Sequence, residues 1–139
     1  MSGREKQELI QKALEARQMA YAPYSHYLVG AALLTEDGSV YQGGNIENAS
    51  YGATNCAERT AVFKAVSDGK RRIKAIAVTG GMEGADPADY AFPCGICRQV
   101  LREFGTGDMT LIVAKSVTDY REFGLEELLP FGFGGESIK

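Results

Sequence analysis

Residues 56–79 read CAERTAVFKAVSDGKRRIKAIAVT, and the two halves of the stretch follow different patterns. In the first half Ala57, Ala61, Val62, Ala65 and Val66 recur three and four apart, which predicts a helix over Cys56–Ser67. Asp68-Gly69 stops it, because glycine accommodates the left-handed turn that ends helices. In the second half Ile73–Thr79 is a short apolar run of strand length. Upstream, Leu28–Thr35 is a β-type run containing Gly30, Ala31 and Ala32, small residues that predict a close-packed neighbour. The turn Glu36-Asp37-Gly38-Ser39 and the run Val40–Gly44 complete a hairpin. Residues 45–55 form a polar loop.

Working downstream, residues 80–92 form a loop longer than usual, which marks a functional or variable segment. Pro93 sits where a helix tolerates proline and opens a second helix, Cys94–Phe104, stopped by Gly105. Thr110–Ala114 is a strand. Tyr120–Phe123 is a short fifth strand whose connection is too brief for a crossover, so it runs antiparallel to its neighbour. Leu125–Leu129 is a short helix, and residues 130–139 form a glycine-rich tail. At the other end, Leu9, Ile10, Ala13, Leu14 and Arg17 share one stripe of a helix over Glu5–Ala20. Pro23 ends it, because the residue before a proline avoids helical geometry. The alternation of strand and helix predicts parallel pairing with right-handed crossovers, and the initial hairpin adds an antiparallel edge. The expected fold is α/β, a three-layer α/β/α sandwich on a mixed five-stranded sheet, with residues 1–139 forming one domain.

The bulk properties narrow the function. The chain has 139 residues and a net charge of −3, which disfavours binding to nucleic acid through phosphates. No apolar run is long enough to span a membrane, and the charged, amphipathic start is unlike a signal peptide. A cytoplasmic protein is expected, with no membrane partner. An odd number of cysteines, Cys56, Cys94 and Cys97, does not make a disulfide framework and leaves metal ligation or thiol chemistry.

Cys56-Ala57-Glu58 and Pro93-Cys94-Gly95-Ile96-Cys97 each open a predicted helix. Cys94 and Cys97 lie one turn apart, so both sulfurs face one side. If the two helices start side by side, three thiolates converge on one ion. The partial positive charge of helix N-termini favours the deprotonated sulfurs that zinc requires. Three thiolates leave a zinc site with one excess negative charge, and Arg59 and Arg98, each one or a few residues past a ligand, are positioned to offset it. A structural zinc site takes a fourth protein ligand, yet no fourth cysteine exists and the sole histidine, His26, lies far along the chain. Three ligands and an open position is the pattern of a catalytic zinc that holds water. Glu58 is then the general acid/base. Residues two apart in a helix point roughly opposite ways, so Glu58 reaches the metal only if Cys56 sits at the very start.

The blocks Tyr24-Ser25-His26-Tyr27-Leu28-Val29-Gly30-Ala31-Ala32, Asn45-Ile46-Glu47-Asn48-Ala49-Ser50-Tyr51, Cys56-Ala57-Glu58-Arg59-Thr60-Ala61 and Pro93-Cys94-Gly95-Ile96-Cys97-Arg98-Gln99 together resemble the homotetrameric zinc-dependent cytidine deaminases. The similarity runs in order along nearly the whole chain to Leu128-Leu129-Pro130. It implies hydrolytic deamination of cytidine and deoxycytidine in pyrimidine salvage, with zinc as cofactor and a non-ligating glutamate, as zinc deaminases in general have. Asn45 and Glu47 match the family residues that bind the ribose 3′-hydroxyl. Tyr27 stands where the family usually has phenylalanine against the base; it keeps a stacking face and adds a hydroxyl. Phe133 matches an aromatic that reaches a neighbouring subunit's site. The backbone N–H groups of Ala57 and Cys94 are placed to orient the base.

Other readings fit less well. Cys94 and Cys97 alone are compatible with a redox pair, but that leaves Cys56 and Glu58 without a role. A deaminase of another aminated pyrimidine, such as an antibiotic, does not need the Asn45–Asn48 block. A nucleic-acid editor conflicts with the acidic balance. The glycine-rich tail lacks phosphate-binding spacing.

Overall fold

The computed structural model describes residues 1–138. Helix α1 spans Gly3–Ala16 and tightens into a 3-10 turn at Arg17–Met19, followed by β1 (Tyr27–Thr35), β2 (Val40–Gly44), α2 (Ala57–Ser67) and β3 (Ile73–Met82). Then come α3 (Gly95–Phe104), β4 (Gly105–Ala114), β5 (Tyr120–Gly124) and α4 (Leu125–Leu128). Helix α1 starts at a reciprocal cap, in which the Ser2 hydroxyl accepts from the Glu5 amide and the Glu5 carboxylate accepts from the Ser2 amide.

The five strands form one mixed sheet in the order β2-β1-β3-β4-β5. Strand β1 is antiparallel to both β2 and β3, β3 is parallel to β4, and β4 is antiparallel to β5. The hairpin therefore does more than add an edge: β1 lies inside the sheet, between β2 and β3. Ala31, Ala32 and Leu33 on it are all fully buried, so β1 is also covered on both faces. As a result β2 and β3 run the same way without touching, and the parallel pairing expected from the alternation of elements joins only β3 and β4 among the described residues.

Side-chain alternation divides the core. On one face Leu9, Ile10 and Ala13 of α1 pack on Ala32, Ala75, Ala77, Ile112 and Ala114. On the other, Ala57, Ala61 and Val62 of α2, Leu101 of α3 and Leu125 of α4 pack on Ala31, Leu33, Ile76, Val78 and Leu111. Each fully buried Ile or Leu contributes roughly 1.5–3 kcal/mol. Glycines let the helices approach the sheet closely. A Cβ on Gly30 would fall 2.0 Å from the Ala13 carbonyl, and one on Gly43 would fall 2.6 Å from the Ala61 amide.

This topology fixes where α2 and α3 begin. Helix α2 follows β2 and α3 follows β3; the two strands point the same way, and both helices lie on one face. Their N-termini therefore emerge at the same edge, beyond the carboxyl ends of β2 and β3, where open α/β sheets place their ligands.

Candidate metal centre and active site

Cys56 and Cys94 occupy the N-cap positions of α2 and α3, both with extended backbone (φ −74°, ψ 155° and φ −67°, ψ 170°). Cys97 lies in the first turn of α3 and is fully buried. The three sulfurs lie within 4.8 Å of one another. Cys56 Sγ and Cys94 Sγ are 3.7 Å apart, and the Cys94 sulfur accepts from the Cys97 amide at 3.5 Å. Two sulfurs bound tetrahedrally at a Zn–S distance of about 2.3 Å stand about 3.8 Å apart. The donor chemistry and the spacing both fit one zinc ion.

Because Cys56 precedes the helix proper, the rule that residues two apart diverge does not constrain Glu58. The Glu58 side chain is 4 % exposed and turns inward at the first turn of α2. Burial, reinforced by the negative Cys56 sulfur, raises its carboxyl to about 7. The Cys56 thiol is lowered to about 5, first by its hydrogen bond with Cys97 and then by Arg59 and Cys94. Cys97 is driven upward by the same bond to Cys56, by burial and by Glu58. Bound zinc favours the thiolate at every ligand and pulls a nearby carboxyl downward.

The two arginines behave differently. Arg59 donates from Nη2 to Cys56 Sγ at 3.3 Å. Arg98 donates from Nε to the Pro93 carbonyl and from Nη1 to the Leu128 carbonyl, each at 2.8 Å, so its bonds tie the entry of α3 to α4 rather than reaching sulfur.

Asn45 follows β2 and is 9 % exposed. Its amide bridges to β1, with Oδ1 accepting from the Val29 amide and Nδ2 donating to the Tyr27 carbonyl, each at 2.9 Å. That uses one of its two N–H donors and one lone pair, leaving the others for a ligand. Glu47 is half-buried and accepts from the amides of Tyr24 and Ser25 at 3.0 and 3.1 Å and from the Ser25 hydroxyl at 2.5 Å. The Ser25 hydroxyl lowers its carboxyl below the ordinary value. Ile46, between them, pairs with Asn55 through two backbone bonds of 2.9 and 2.8 Å, which ties the Asn45–Glu47 segment to the residue before Cys56. Tyr27 starts β1 on the α2/α3 face, half-buried, with its hydroxyl over Gly80 and beside Ala91. Ala57 is fully buried, whereas Phe133 is 60 % exposed and its carbonyl accepts from Gln99 Nε2 at 3.0 Å.

The sequence reading gave no individual role to Tyr24, Ser25, Tyr51 or Thr54. With Glu47 and Asn48 they line a cleft of about 250 Å³, and the rings of Tyr24 and Tyr51 meet edge-on at 6.4 Å. No periodicity marks these loop residues. The only local signal was the density of tyrosine and hydroxyl side chains flanking the Asn45–Asn48 block.

With the geometry in place, comparison with known proteins is direct. Residues 4–113 match the family model described as the cytidine and deoxycytidylate deaminase zinc-binding region. The chain is 49 % identical over 134 residues to a cytidine deaminase of Halalkalibacterium halodurans, covering 96 % of this chain and 98 % of that one. Among solved structures, it resembles cytidine deaminase from Burkholderia pseudomallei with a TM-score of 0.83 and 44 % identity, over 96 % of this chain and all of the other. It also resembles cytidine deaminase from Mycobacterium tuberculosis, with a TM-score of 0.76 and 39 % identity over 91 % of this chain and 95 % of that one. The three converging cysteines and the full-length likeness agree: the chain belongs to the cytidine deaminase family.

Proposed function

We propose that this protein hydrolyses cytidine and deoxycytidine to uridine and deoxyuridine, releasing ammonia. The observation that carries the reading is the meeting of three cysteine sulfurs at two helix starts with a buried glutamate two residues from the first of them. Cys56, Cys94 and Cys97 hold the zinc, which when bound supplies a Lewis acid that makes water nucleophilic near neutral pH. Glu58 takes a proton from the attacking water and delivers it to N3 of the cytosine ring. It later protonates the departing amine, so one carboxyl works in both directions. The N–H groups of Ala57 and Cys94 orient the base. Arg59 offsets the excess thiolate charge through its bond to Cys56, and Arg98 adds its nearby charge while fastening Pro93.

Asn45 and Glu47 hold the ribose 3′-hydroxyl, and Tyr27 provides the stacking face for the base. Residues 1–139 act as one catalytic domain within a homotetramer, in which the exposed Phe133 of one subunit reaches the site of another. The substrate is a free nucleoside, and the acidic net charge of −3 supports a protein without nucleic-acid or membrane partners. No described helix is long and apolar enough to cross a membrane. The enzyme works in the cytoplasm, in pyrimidine salvage.

The test is Glu58→Gln with cytidine as substrate. Zinc should remain bound while ammonia release falls by about 10²–10⁴-fold. Wild type and variant equally inert toward cytidine would refute the reading, and turnover of an aminated-pyrimidine antibiotic alone would redirect it.

A further inference from the structure

Arg17 was expected on the apolar stripe of the first helix. It lies just past α1, only 6 % exposed, with its guanidinium directed at carbonyl groups. Nε donates to the Leu28 carbonyl at 3.1 Å, and Nη2 donates to those of Met82 and Ala85 at 3.3 and 3.1 Å. A cation this buried is costly unless its donors are bonded, and here the three carbonyls accept from it. The three acceptors come from the start of β1, the end of β3 and the turn after β3.

These acceptors bracket Tyr27. Leu28 is its chain neighbour and Met82 is its register partner across the β1–β3 ladder. Beyond Ala85 the chain wraps the end of β3. Pro87 presses on Gly81, where an added Cβ would lie 3.0 Å from the Pro87 Cα and 3.1 Å from Arg17 Nη2. The chain then crosses to the other face, where a Cβ added to Gly80 would lie 2.9 Å from both the Ala91 Cβ and the Tyr27 hydroxyl. Three residues later it reaches Cys94.

We infer that Arg17 is a positioning residue for nucleoside binding, which acts from the opposite face of the sheet by fixing the strand ends and the residue 83–92 segment that hold the Tyr27 ring. This rests on the proposed role of Tyr27 against the base.

The experiment compares Arg17→Met, Arg17→Lys, Tyr27→Ala and the double variant Arg17→Met/Tyr27→Ala as zinc-loaded protein, with KM and kcat for cytidine measured beside the melting temperature. Arg17→Met should raise KM roughly fivefold or more and leave kcat within about twofold, the signature of lost ground-state binding. Arg17→Lys, which keeps the cation, should recover part of the loss, and it stands in if the methionine variant does not fold. In the Tyr27→Ala background the Arg17 change should add little further to KM, because both act through one ring. A lowered melting temperature with unchanged KM in the Arg17 variants, while Tyr27→Ala raises KM, would overturn the inference and leave the role of Tyr27 standing. An unchanged KM in Tyr27→Ala would overturn both.

Discussion

Cys56 and Cys94, 38 residues apart in sequence, bring their sulfurs to 3.7 Å from the caps of two different helices. The separation is too long for a disulfide bond of about 2.05 Å and matches two ligands sharing one metal. Arg59 approaches the Cys56 sulfur of this pair at 3.3 Å. Replacing it by Met removes the charge and the donor while keeping a stem of similar length. Zinc affinity should drop by about 10–100-fold, as for other groups that support metal ligands from behind. Competition with a chelator measures it, and an unchanged zinc affinity would show that Arg59 does not stabilise the thiolates.

Glu47 bonds the backbone of Tyr24 and Ser25 and the Ser25 hydroxyl. Glu47→Gln keeps the shape and loses the charge. A hydrogen bond to a charged group contributes about 1.5–3 kcal/mol, so KM for cytidine should rise roughly tenfold or more. Zinc content should stay unchanged, since Glu47 is not part of the cysteine trio. Steady-state kinetics with metal analysis on the same preparation checks both parts.

Much of this site was legible because zinc chemistry depends on residue type and spacing. Cys94 and Cys97 at one helical turn, and Glu58 after a cysteine at a helix start, carry their meaning locally. The uses of Asn45 and Glu47 were not legible in the same way. Both hold loop and strand backbone in the structure, and those partners lie 16 to 23 residues away. The same divide runs through the fold. Helix α2 follows from periodicity and the body of β3 from its short apolar run, but β3 runs on to Met82 because Tyr27 and Leu28 are there to pair with it. Strand β4 begins at Gly105 rather than Thr110, beside Ile73. Strand order, with β1 inside the sheet, depends on pairing along both its edges, which no local pattern states.

Gly30 faces α1 with no room for a methyl group: an added Cβ would sit 2.0 Å from the Ala13 carbonyl and 2.6 Å from the Arg17 amide. Gly30→Ala should destabilise by about 1–3 kcal/mol or more, because neither neighbour is a flexible side-chain tip. Gly52→Ala, where the added carbon meets nothing within 4 Å, is the control and should leave the melting temperature nearly unchanged. Equal melting temperatures for the two variants would contradict the packing described here.

Asp37 latches the β1–β2 turn. It accepts from the Thr35 hydroxyl at 2.5 Å, the Ser39 amide at 3.1 Å and Lys70 Nζ at 2.6 Å. Lys70 and these donors hold its carboxyl well below the ordinary value in the folded protein. A group depressed by folding stabilises the fold above its unfolded pKa and loses that contribution as pH falls through the folded value. Asp37→Asn should therefore be less stable than wild type near neutrality, with the gap closing as pH drops below about 4. Urea unfolding at several pH values tests this; a gap that stays constant into acid would assign the effect to shape rather than charge.

The most direct measurement is zinc content and ammonia release from cytidine on a single purified sample. One zinc ion per chain is predicted, from the one cluster of three cysteines, with ammonia and uridine formed in equal amounts. A fully zinc-loaded sample that leaves cytidine untouched, or one that keeps its full rate after the metal is stripped, would contradict the account.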